Sequence, residues 1–140
     1  MKPIDETLWT LVRQWIVKAD LDYRTAERLL QDEDPIRESI AFHCQQAAEK
    51  FMKAFLVANQ VAFPKTHSIG RLLDLVTTID PELTAALESA ESLTPFGVEI
   101  RYPGDLPELL PGQEKTVFEV AKRTREAIMA RLNQRRMGSG

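Results

Sequence analysis

An all-α, up-and-down helical bundle is the fold that the 140-residue sequence predicts, and three observations predict it. Apolar residues recur at helical spacing in successive stretches. Nothing alternates with the two-residue period of a strand. Capping residues followed by proline, or short polar connections, separate the stretches, which makes neighbouring helices antiparallel. The expectation is four long helices plus a short one in a single domain over residues 1–136. Residues 137–140, Met-Gly-Ser-Gly, read as a flexible tail of the kind cloning leaves behind.

The first helix is expected from about Asp5 to Leu30. Leu8, Val12, Trp15, Ile16, Ala19, Tyr23, Ala26 and Leu30 share one face, with Leu11 and Leu29 at its edge. Asp22 falls at the margin of that apolar stripe, and a carboxylate there needs water or a donor from another helix. Asp34 followed by Pro35 reads as an N-cap with proline at the first helical position. The second helix then runs to about Asn59. Its arc of Ile40, Cys44, Ala47, Ala48, Phe51, Ala54, Phe55 and Ala58 is rich in small residues, so neighbours can approach closely. Gln45, Gln46, Glu49, Lys50 and Lys53 lie on the other side, with Phe42 in their midst. An aromatic among amides and charges points to a partner surface.

Phe63–His67 is a short connection, and Thr66 or Ser68 caps a third helix carrying Ile69, Leu72, Leu73, Leu75, Val76 and Ile79. Asp80-Pro81 repeats the cap-plus-proline signal and starts a fourth, near Leu83 to Leu93. From Thr94 to Gly112 prolines and glycines forbid a long regular element. A fifth helix follows from Gln113 to about Arg135, with Val117, Val120, Ala121, Thr124, Ile128 and Leu132 inward.

Composition narrows the function. A net charge of −3 argues against polyanion binding by bulk charge. Residues 113–136 nevertheless carry seven Lys/Arg against three Glu, which suits a phosphate or acidic partner, or a solvated helix end favoured by the dipole. No apolar run is long enough to span a membrane. The N-terminus lacks a secretory layout, so a cytoplasmic protein is expected. The single cysteine, Cys44, fits a reducing compartment and reads as core filler. Nucleotide-loop, zinc-protease and nucleophile-elbow templates find no match, and neither metal nor cofactor is expected. His43 and His67 lie in different elements and form no recognisable metal set.

Taken together, several motifs carry a resemblance. Ala19-x-x-Asp22-Tyr-x-x-Ala26, Phe42-x-x-Gln45-Gln46-Ala-Ala-Glu49-Lys50-x-x-Lys53-Ala54, Lys65-Thr-His67 and Arg101-Tyr-Pro103 occur in order. Over about Leu8 to Leu132 the chain resembles the HEPN domain family. That resemblance implies a helical bundle, often a homodimer, working with nucleotides or RNA. Many members pair with a minimal nucleotidyltransferase in toxin–antitoxin modules. Others are metal-independent RNases with an Arg-x(4–6)-His site formed across a dimer. This chain departs from that site, because no histidine follows Arg101. Arginine stays protonated and cannot take the 2′-hydroxyl proton.

The expectation is therefore a non-catalytic nucleotide- or RNA-binding module, or the docking face for a nucleotidyltransferase. Arg101, Tyr102, Lys53, Gln46 and Glu49 would bind, and Phe42, Gln45, Gln46 and Glu49 would form the dimer interface. Arg101 otherwise pairs with Asp22 or Glu49 to pin its loop to the bundle. The alternative is a dimeric RNase using Arg101 with a relocated base, His67.

Overall fold

The structure, a computed structural model, describes residues 4–97, 102, 104 and 108–136. Five α-helices occur among them: α1 (Glu6–Leu30), α2 (Arg37–Ala58), α3 (Ile69–Ile79), α4 (Pro81–Leu87) and α5 (Gln113–Arg136). A 3₁₀ segment, Glu88–Gly97, continues α4 where the sequence suggests α-helix to Leu93. Asp80 alone separates α3 from α4, where the cap-plus-proline signal places the break, and both helices are short, 11 and 7 residues.

Helix starts follow local chemistry at three of the five positions. Asp5 accepts from the Leu8 amide at 2.7 Å, Ser68 from Arg71 at 3.4 Å and Asp80 from Leu83 at 3.0 Å. The expected Asp34–Pro35 cap is not formed. The Asp34 amide turns back to Asp32 Oδ1 at 3.3 Å, and α2 begins at Arg37 without a side-chain cap. Its first turn is tied to α5, because Arg37 Nε donates to Glu114 at 3.0 Å. Glu114 also accepts from the Gly112 amide at 2.7 Å, in a turn that puts Gly112 at φ +96°, a conformation glycine adopts freely.

α2 is the central helix. It packs on α1, α3, α5 and the 3₁₀ segment. Fourteen of its residues are buried, Ala41, Cys44, Ala47, Ala48 and Ala54 completely. Small side chains there let the neighbours close in, as the sequence pattern requires. Burial also pushes the Cys44 thiol up to about 12, so it is an inert filler. Trp9 is buried as well, under the Arg136 guanidinium at 4.8 Å, a contact between the far ends of α1 and α5 that periodicity alone does not reveal.

Contacts fix the directions. Asp22 meets Lys50 while Trp15 meets Lys53 and Phe63, so α1 and α2 run antiparallel. α5 is antiparallel to α1, with Tyr23 against Phe118 and Asp20 against Arg125. The α2–α3 relation differs from expectation. Residues 59–68 travel back along α2: Val61 bonds Leu56, Thr66 bonds Lys53, and the His67 carbonyl reaches Gln45. α3 therefore sets off in the same direction as α2. The 3₁₀ segment returns antiparallel to α3, with Thr94 bonded to the Ile69 amide. This doubling back lays His67 over the middle of α2.

Candidate functional site

Two carboxylates on the α1–α2 hairpin each hold one histidine and one lysine. On the first, Glu49 Oε1 faces His67 Nδ1 at 2.8 Å and Oε2 accepts from Lys53 Nζ at 3.0 Å. On the second, Asp22 Oδ1 faces His43 Nδ1 at 2.8 Å and Oδ2 accepts from Lys50 Nζ at 2.5 Å. Asp22, left open between water and a donor by its sequence position, thus takes the donors and clamps α1 to α2.

The Glu49 group is the deeper one. Glu49 is 3 % exposed, Lys53 7 % and Gln45 not at all. Lys53 also donates to the Thr66 carbonyl at 3.3 Å and lies over the Trp15 and Phe63 rings at 5.6 and 5.7 Å. Gln45 Nε2 donates to Glu49 Oε1 at 3.3 Å and to the His67 carbonyl at 3.1 Å, and its Oε1 accepts from Gln46 at 2.7 Å. Gly97 closes over this amide. A Cβ there would stand 2.8 Å from the Gln45 side chain, so only glycine fits without a shift.

His67 stands apart, with 69 % of its side chain exposed. A carboxylate only accepts, so a neutral His67 ring carries its proton on Nδ1 and presents the Nε2 lone pair outward. Among the described residues nothing bonds that Nε2. The arrangement is an oriented imidazole on the surface, braced by a buried carboxylate. His43 shares the carboxylate bond but keeps only 28 % of its side chain exposed, with the Phe42 ring edge-on at 5.3 Å.

These positions correct the expected surface. Gln45, Glu49 and Lys53 do not face outward but lie inside one subunit with their polar atoms engaged. The reason is the returning 59–68 segment, which covers that side of α2. Gln46 and Phe42 remain half-exposed, and Tyr102 is 77 % exposed. Arg101 lies outside the described residues, and both carboxylates considered as its partners already hold a histidine and a lysine. The cations of α5 are largely spent within the fold. Arg125 pairs with Asp20, Arg131 with Asp80, Arg135 bonds Asn59 and Arg136 covers Trp9.

Sequence reasoning names His67 and Glu49 separately but does not couple them, and it misses the Asp22–His43–Lys50 group. Asp22 at the margin of an apolar stripe signals the second group, and the Glu49–Lys53 i,i+4 spacing signals part of the first.

Fold and site together define a helical-bundle domain built around a polar helix hairpin. The chain matches the HEPN domain model over residues 12–135 and belongs to the HEPN domain family. No curated protein and no solved structure matches it. Among the described residues no helix is long and apolar enough to cross a membrane.

Proposed function

We propose that this chain is a non-catalytic RNA- or nucleotide-binding module of the cytoplasm that uses the His67 edge as its contact point and docks a nucleotidyltransferase-type partner. The observation that carries the reading is the exposed imidazole held in one orientation by Glu49. A neutral ring accepts at Nε2 from a ribose hydroxyl or a base amino group, and a protonated ring donates to a phosphate oxygen. Lys65, two residues away and exposed, adds a cation. Tyr102 supplies an exposed ring on which a base can stack. Family membership supports an RNA-related setting.

Binding fits better than cleavage. RNA scission needs one group to take the 2′-hydroxyl proton and another to protonate the leaving oxygen. Of the two lysines near His67, Lys53 is enclosed against two aromatic rings and already bonded to Glu49, and Lys65 is exposed with no described partner to hold it in position. A second reading, a dimeric RNase with His67 as base and Arg101 in support, draws on the same His67–Glu49 pair.

One titration separates the two. A fluorescent single-stranded RNA is titrated with wild type and His67→Ala by anisotropy, and the same RNA is run on a denaturing gel. Wild type binds and leaves the RNA intact, and His67→Ala weakens binding about tenfold, equivalent to one charge-assisted hydrogen bond of ~1.5 kcal/mol. Absence of binding refutes the proposal, and cleavage lost in His67→Ala establishes the enzyme.

A further inference from the structure

α1 packs on α2 and α5 and leaves its outer face uncovered by any described element. At 100° per residue, Arg13, Val17, Leu21, Arg24 and Arg28 share one arc of that face about 80° wide, with Lys18 about 60° beyond one edge and Asp20 about 20° beyond the other. The residues of the arc and Lys18 are exposed, Val17 by 54 % and Leu21 by 55 %. A groove of about 700 Å³ opens beside the N-terminal half of this face, lined among the described residues by Thr10, Arg13, Gln14, Trp15, Val17 and Lys18, and not by Leu21, Arg24 or Arg28.

The charge on this face is one-sided. None of its four cations makes an ion pair among the described residues, whereas nearby acids are engaged elsewhere or lie off the arc. Asp20 binds Arg125 and Asp22 binds His43 and Lys50, while Glu27 is exposed about 40° outside the arc. Glu6, two turns before Arg13, is the one carboxylate on the arc. A cationic strip within a chain of net charge −3 selects an anionic partner.

Three occupants compete for it. A second copy docked face to face would set these cations against their own counterparts, which is repulsive. RNA would satisfy the cations but leave Val17 and Leu21 against phosphate and sugar, since aliphatic side chains offer no stacking platform. A protein helix with an aliphatic stripe flanked by Asp or Glu satisfies both kinds of group at once. We propose that the outer face of α1 docks such an acidic amphipathic helix from another protein. This deepens the partner-docking half of the function proposed above and rests on it.

The probe is a labelled helical peptide of about 20 residues, roughly 30 Å long, with leucines at i, i+3, i+4 and i+7 spacing and flanking glutamates. It is titrated against the full chain beside a lysine-for-glutamate copy, an oligouridylate and phosphatidylserine vesicles. The glutamate peptide binds at least about tenfold tighter than the lysine copy. Val17→Ser with Leu21→Ser, and separately Arg13→Glu with Arg24→Glu, each weaken it by a similar factor. Circular dichroism and the RNA binding that His67→Ala weakens stay unchanged in both double variants. Equal binding of the two peptides overturns the proposal, as do undiminished binding by the variants, loss of oligouridylate or vesicle binding in them, or a dimer that they dissociate. Peptide binding that survives when the His67 RNA test fails leaves this surface standing and removes the RNA reading alone.

Discussion

At the scale of single residues, Glu49 bears the greatest load. Its carboxylate answers the buried Lys53 ammonium, the Gln45 amide and the His67 ring in one place. An ion pair this enclosed is weak evidence for stability in itself, but removing one member strands the other charge. Glu49→Ala is expected to lose about 3–5 kcal/mol of stability in denaturant unfolding. A loss under about 1 kcal/mol would mean that Lys53 finds water or another partner. Glu114 makes a pH prediction. Burial pushes its carboxyl up, but its own amide, the Gly112 amide and the Arg37 guanidinium outweigh burial and hold it below the ordinary 4.5. A carboxylate lowered by folding stabilises above its unfolded value and loses that contribution as pH falls through its folded value. The melting-temperature gap between wild type and Glu114→Gln is therefore constant near neutrality and narrows below about pH 4.5. A gap that widens on acidification would contradict the assignment.

At the scale of elements, α2 does two jobs on two faces. Its small-residue face is closed: Ala48 is fully buried between packed helices, so Ala48→Leu should overpack the contact and cost roughly 1–3 kcal/mol. An unchanged melting midpoint would place Ala48 beside a void. Its polar face is covered at Gln45, Glu49 and Lys53 by the 59–68 segment, and of the four residues expected at a dimer interface only Phe42 and Gln46 keep access to solvent. A homodimer through the expected residues would then have to rest on those two, with the partly exposed His43 and Lys50 beside them. Phe42→Glu is expected to convert such a dimer to monomers in light scattering, and a dimer that persists moves the interface elsewhere. The 59–68 segment itself is an element of consequence. By running back along α2 it satisfies Lys53 and Gln45 with its own carbonyls and delivers His67 to Glu49.

At the scale of the whole molecule, the helices were legible because each has to bury one stripe, and a stripe sets a period. α1, α3 and α5 therefore start and stop within about a residue or two of the expected bounds. The start of α2 was not legible, because Asp34 bonds Asp32 and the real constraint on Arg37 is Glu114, 77 positions away. Nor was the direction of α3, since a ten-residue connection can cross the bundle end or double back, and composition does not distinguish the two. The same limit explains the site. Periodicity gives the angle of Gln45, Glu49 and Lys53 on α2, but not which later segment lies over them. His67 and Glu49 could each be singled out, whereas their pairing depended on the fold. We propose that His67, braced by Glu49, is where this molecule meets RNA. Side-chain NMR of the two histidine rings during titration with a short single-stranded RNA tests it most directly. The expected result is a saturable shift of the His67 ring signals with those of His43, pinned between Asp22 and Phe42, unmoved; a His67 signal that stays put while RNA binds would rule this contact out.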